Sequence, residues 1–421
     1  MPYNRWRFIN LGLLLGVVGG LVLTPADTLG IKKITLGLML AFNLPLLARE
    51  LRAPRNLPLL IFGVVFPVYL TVFSTLANDW LWETSVSNAY IMVYILLIPI
   101  IRFFGLPLLR ITIAMLTIMA AWIVLAGIGD LSGIYPLANN DLAEWLNLNG
   151  EALIGHWPTT TFGYVIFPKA SPLLLILTAY GARKRAWHLV ILSVAAMAFT
   201  GTRANLFISV GLAVAVLILD AKPGRVRRTL VAAIGIVSLC LSPFVVRFVI
   251  SASTLKSGTD LVKWQHLESI VRQWQGDPLT LLTGSGLGSF FYTTGLLDFV
   301  SLTEVSPIDL TRQIGLMGMV PFVVFLAIPV ASLLQPAWRW LAVTYLAYLG
   351  LTFTNPLLFS STAFGVYLLV YGVHYGAVSV ANVPSGFSGR AGLGLKLISM
   401  RTSRERAQPP ENAALNANPR V

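Results

Sequence analysis

Residues 303–318 read TEVSPIDLTRQIGLMG and lead into MVPFVVFLAIPV, residues 319–330, so a glutamate, an aspartate and an arginine stand directly before a long apolar run. What those charges can do depends on the solvent around them. The chain has 421 residues, 56% hydrophobic and 11% charged, with a mean hydropathy of +0.77. Soluble domains carry about 25% charged residues. This composition is that of an integral membrane protein, and the charges sit at the mouth of a membrane helix. A net charge of +13 would suggest nucleic acid in a soluble domain, but here its distribution along the chain is the informative quantity. The single cysteine, Cys240, lies in the apolar stretch IVSLCLSPFVV, which rules out a disulfide within the chain and a thiolate metal cluster.

Working outward, stretches able to cross about 30 Å of hydrocarbon predict an all-α polytopic bundle of about 12 transmembrane helices. They fall at about 8–26, 33–48, 57–77, 87–104, 109–129, 162–181, 186–201, 203–220, 229–250, 309–334, 337–353 and 355–378. The first reads as a span and not as a cleaved leader. An even count puts both termini on one side. With the N-terminus in the cytoplasm, 21 of the 30 basic residues fall inside and 13 of the 17 acids outside. The bundle occupies 1–379, with large external loops at about 130–161 and 251–308. A polar tail follows over 380–421, with the composition of a disordered cytoplasmic segment.

The external loop after 250 collects the candidate site. Arg203, in AFTGTRANLF, opposes the inside bias. It either snorkels at a helix end or holds a phosphate through its guanidinium fork. In LVKWQHLESIVRQWQ, 261–275, apolar residues at 264, 267, 271 and 274 have helical spacing. Lys263 and His266 share one polar flank, and Arg272 leaves from the other; solvation of a polar face is the plain alternative. LLTGSGLGSFFYTTG, with Gly284, Gly286 and Gly288 before Ser289, reads first as a tight loop and second as an anion cradle. Ser306, Pro307 and Asp309 read as a helix start with a capping-box-like acid. Arg312 stands at i,i+3 from Asp309 and can pair with it, which leaves Glu304 without a local role.

These residues carry a family resemblance. GTRANL (201–206) after a span, a long external loop, IVRQWQGDPLTLLTGSGLGSFF (270–291), and an acidic segment ending in RQIGLMG (312–318) resemble the bacterial O-antigen and exopolysaccharide polymerases, related to the O-antigen ligases. The match covers about residues 160–335. It implies a GT-C-like bundle in the bacterial inner membrane, acting at its periplasmic face as a metal-independent glycosyltransferase with no cofactor. The implied substrate is a polyprenyl-diphosphate-linked oligosaccharide. The implied partners are the lipid bilayer, a chain-length regulator and a flippase, with no nucleic acid.

By the same resemblance Arg203 and Arg272, with Lys263 and Arg312 behind them, hold the diphosphate. Glu304 is the preferred general base, with Asp309 or His266 in reserve. The ligases place a histidine, typically in an H-N pair, where this chain reads TEVSPID; that departure favours a polymerase. Such a polymerase transfers a polyprenyl-diphosphate-linked glycan to the sugar hydroxyl of another lipid-linked repeat unit. A ligase acting on lipid A core and a membrane transporter are the alternatives.

Overall fold

The structure, a computed structural model, describes residues 2–78, 81–137, 140–156, 164–221, 224, 261–303, 305–353 and 355–378. The chain divides into two compact units, 1–382 and 383–421. The second unit, and the tail expected over 380–421, lie outside the described residues.

Helix dominates, and the expected membrane bundle is present in coarser form. Six helices are long and apolar enough to cross a bilayer: Tyr3–Leu23, Pro54–Leu76, Trp82–Phe104, Leu108–Leu131, Arg203–Asp220 and Ser306–Leu333. A seventh crossing results if Ile31–Phe42 and Leu44–Leu51, bent by 72° relative to each other, are one broken span. Asn43 and Pro45 mark that break, because proline offers no N–H to continue the helix. The count is therefore six or seven among the described residues, not about twelve.

Where the structure describes the missing crossings, the shortfall has a local cause. The stretch expected as a span over 162–181 is in part a strand, Tyr164–Pro168, followed by a turn at Ser171–Leu173 and the short helix Leu174–Lys184. Leu174, Leu175, Ile176 and Leu177 are all buried, so this helix is apolar because protein surrounds it. Trp187–Phe199 and Arg339–Leu351 have 13 residues each, and Ser361–His374 has 14. At 1.5 Å per residue these reach about 20 Å, short of the hydrocarbon thickness. The stretch over 229–250 lies outside the described residues.

Two small antiparallel hairpins also qualify the all-α expectation. Ala152–His156 pairs with Tyr164–Pro168, and Phe291–Thr293 with Asp298–Val300. The first strand of the first hairpin belongs to the loop expected over 130–161, together with the helix Asp141–Leu148, which Asn140 caps by accepting from the Leu142 and Ala143 N–H groups. Glu151, 1% exposed, ties this loop to the turn after the first helix by accepting from Ala26 N at 2.8 Å and Thr28 N at 3.0 Å.

One face of the 306–333 segment packs into the core, and tyrosines satisfy two of its carbonyls. The Phe325 carbonyl faces residue 329, a proline without an N–H, and instead accepts from the Tyr371 hydroxyl at 2.6 Å. Tyr345 donates to the next carbonyl, Leu326, at 2.9 Å. Around them Phe322, Phe325, Phe364 and Tyr367 pack ring against ring. Tyr371→Phe keeps the packing but orphans the carbonyl. We expect a loss of about 1–3 kcal/mol of stability, read by denaturant unfolding in micelles. Unchanged stability would mean that the carbonyl is satisfied in another way.

Candidate functional site

The site grows out of a helix break. In Ser306–Ala327 the residue Gly315 has φ 64 and ψ 178, a conformation reached essentially by glycine alone. The break interrupts the helix beside the Arg312 and Gln313 carbonyls, which accept from donors outside it. The glycine loop supplies them: Ser285 N donates to Arg312 O at 2.8 Å and Gly286 N to Gln313 O at 2.9 Å. Gly288 N donates to the Gln313 side-chain oxygen at 2.8 Å. The plain reading of LLTGSGLGSFF therefore holds, since these N–H groups serve the protein and not an anion. Gly284 and Gly315 meet backbone to backbone, and a Cβ on either would stand 2.5 Å from the other's nitrogen.

Immediately before the break lies a buried charge network. Arg312 is 0% exposed and Asp309 2%. Arg312 Nε donates to Asp309 Oδ1 at 2.9 Å, so the expected i,i+3 pair forms. Nη1 donates to Ser289 Oγ at 3.0 Å, and Nη2 to the Ser289 and Ser301 carbonyls at 3.1 Å each. The guanidinium also lies 4.3 Å from the centre of the Phe291 ring. Asp309 Oδ2 accepts from Thr303 N at 3.2 Å and from Gln313 Nε2 at 3.0 Å. Such mutual satisfaction is what a buried ion pair requires.

The capping-box expectation is corrected. Val305, not Ser306, is the N-cap and makes no side-chain cap bond. The Ser306 hydroxyl instead donates to Asn355 O at 2.6 Å, fastening this helix start to the segment before Ser361–His374.

Over this network opens a cavity of about 210 Å³. Asp309 and Gln313 form one wall, Thr84 and Asn88 of the Trp82–Phe104 helix another, and Phe290 and Phe359 contribute rings. Ser301, Ser306 and Gly288 complete the polar part. Among the described residues no Lys or Arg lines it. The Leu287 N–H, donating to Ser74 Oγ at 2.8 Å, pins the glycine loop to the end of the Pro54–Leu76 helix and so fixes the cavity floor.

The residues singled out from the sequence separate into distinct places. Asp309 lines the cavity. Arg312 does not: its nitrogens are bound internally and it has no exposed surface, which removes it from the expected diphosphate group. The helix expected over 261–275 runs over 261–276. On it His266 is buried, its Nδ1 2.6 Å from Thr293 Oγ1, a contact that joins the helix to the 291–300 hairpin. Arg272 is exposed and paired with Glu268 at 2.7 Å. Lys263 is half-buried, and Arg203 opens the helix Arg203–Asp220, also half-buried. None of Arg203, Lys263, His266 and Arg272 lines the cavity. Glu304 lies outside the described residues.

Gln313, one turn beyond Asp309 in RQIG, was legible as an i,i+4 partner but was missed. Thr84 and Asn88 come from more than two hundred residues away, and no local pattern marks them. No family model and no curated protein matches the chain.

Proposed function

We propose that this membrane protein is a polysaccharide polymerase, a glycosyltransferase that joins lipid-linked repeat units at the face of the bilayer where the cavity opens. The observation that carries the reading is the lining of that cavity: among the described residues it has one carboxylate, two side-chain amides, hydroxyls and two phenylalanine rings, and no cation. Amides and hydroxyls match sugar hydroxyls, and aromatic faces match the C–H faces of sugar rings. The cavity thus suits the saccharide part of a substrate, here the acceptor. The donor's diphosphate needs a separate cationic surface, for which Arg203, Lys263 and Arg272 remain the candidates.

In the transfer, the acceptor hydroxyl oxygen forms a bond to the donor's anomeric carbon while that carbon's bond to the diphosphate oxygen breaks. The electron pair leaves with the polyprenyl diphosphate, and the hydroxyl proton passes to a carboxylate. A carboxylate offers about four acceptor positions. Asp309 uses three on Arg312, Thr303 and Gln313, which leaves one for a hydroxyl in the cavity. Glu304, five residues earlier, is the other candidate base. A single displacement inverts the anomeric centre.

A transporter is the second reading, favoured by the helices broken at Asn43 and Gly315, since interrupted helices commonly frame transport sites. Purified protein in vesicles supplied with lipid-linked repeat units separates the readings. A polymerase yields products of increasing length with release of polyprenyl diphosphate. A ligase yields product only when lipid A core is added, and a transporter moves units across the vesicle without lengthening them. Absence of lengthening by folded protein would remove the proposal.

A further inference from the structure

The opposite end of the bundle carries a second site-like arrangement. There the start of the first helix, the end of Leu44–Leu51 and the end of Trp82–Phe104 come together. The Tyr3 hydroxyl donates to Phe103 O at 3.3 Å, and Arg102 binds Glu50 at 2.6 Å. Between these elements runs a cleft of about 340 Å³ lined by Trp6, Phe42, Leu46, Phe103, Phe104 and Arg49. Trp6, Phe42 and Phe103 are about half exposed, at 42%, 48% and 45%. Arg49 stands 5.8 Å over the Phe103 ring.

The charge here is one-sided. Glu50 faces three arginines, with Arg49 and Arg55 at 3.7 Å each besides Arg102, so two positive charges exceed what it neutralises. Arg102 holds Glu50 closely, whereas Arg49 has the longer contact and an exposed side chain. Arg5, Arg7 and Arg52 add exposed cations from the same helix ends.

We infer that this cleft binds an anionic phospholipid of the bilayer, its phosphate on Arg49 and its acyl chain along the aromatic wall. The two halves of the cleft match the two halves of that molecule. Trp6 is an amphipathic ring of the kind that forms an interfacial belt, the phenylalanines give the acyl chain an apolar wall, and a guanidinium is a fork for phosphate oxygens. The surplus positive charge selects a headgroup with net negative charge over a zwitterionic one. Basic clefts between membrane helices bind acidic lipids in this way. The basic end is also the one that the charge bias assigns to the cytoplasm. This inference does not depend on the proposed enzymatic activity.

Trp6 supplies an internal reporter. The protein is reconstituted in phosphatidylcholine vesicles containing brominated phosphatidylglycerol or, at the same mole fraction, brominated phosphatidylcholine. Quenching of Trp6 is isolated as the difference from Trp6→Phe. The expected result is quenching by brominated phosphatidylglycerol at several-fold lower mole fraction. That preference falls about fivefold for each of Arg49→Gln and Arg52→Gln and persists in Arg339→Gln, a basic residue elsewhere in the chain. It also survives excess inorganic phosphate. Equal quenching by the two lipids, a preference unchanged in folded Arg49→Gln, or its loss to inorganic phosphate would overturn the assignment.

Discussion

Arg312→Met is expected to lower the stability of the folded protein by about 3–5 kcal/mol, although methionine fills much of the same volume. The cause is what remains behind. Asp309, 2% exposed, would keep its contacts to Thr303 and Gln313 but lose the only counter-charge bonded to it among the described residues. The Ser289 and Ser301 carbonyls would lose their shared donor as well. The double variant Asp309→Asn/Arg312→Met removes the stranded charge and is expected to recover part of the loss, so the two changes couple instead of adding. Melting of the purified variants in one detergent reads both quantities. An Arg312→Met protein as stable as wild type would show that the pair is solvated after all.

Gly315→Ala is expected to be at least as severe, at the upper end of single-substitution effects, about 3–5 kcal/mol or outright loss of folded protein. Two costs coincide at this position. The backbone has a glycine-only conformation, and the new Cβ would stand 2.5 Å from Gly284 N, where backbone and not a flexible side chain must move. Gly284→Ala meets the mirror-image obstruction, with its Cβ 2.5 Å from Gly315 N. The open face of the helix 306–327 is a suitable control: Val320→Ala lies at a position 62% exposed and should cost far less. Yield of monodisperse protein and its melting temperature decide the matter. Wild-type behaviour of Gly315→Ala would mean that the helix break is not a fixed feature.

How much of this was legible in the sequence varies with the range of the interaction. Local patterns read well. The helix over 261–276, the pair Asp309–Arg312 and the turn character of the glycine run all follow from spacing and residue type within a few positions. The membrane character follows from composition. The number of crossings did not, because hydropathy reports that a stretch is apolar and not what makes it so. Leu174–Lys184 is apolar for burial in protein, and its neighbour Tyr164–Pro168 is a strand. The electrostatics of Arg312 were invisible for a related reason. An arginine beside a polar loop looks available until the carbonyls of Ser289 and Ser301 close around it. Thr84 and Asn88 could not be placed at the cavity by any argument confined to their own segment.

Among the described residues the cavity lining carries less charge than the sequence suggests and more neutral polar groups. In the proposed function such a lining would seat a sugar, and the diphosphate would be held elsewhere. Asp309 has two functions in that picture, as the counter-charge that holds Arg312 in the interior and as the carboxylate wall of the cavity. Because they share one side chain, an Asp309 variant alone cannot separate fold from chemistry. Asn88 and Phe290 can. Among the described residues Asn88 donates only locally, to Thr84 O at 3.0 Å, and Phe290 is 55% exposed; both line the cavity outside the buried ion-pair network.

The most direct measurement is therefore the rate at which purified, reconstituted protein lengthens lipid-linked repeat units, compared among wild type, Asn88→Leu and Phe290→Ala at matched melting temperatures. The account predicts a product ladder from wild type and about tenfold slower extension in each variant, the size of one lost contact to the sugar. Extension at the wild-type rate by both variants, or no extension by the folded wild-type protein, would contradict it.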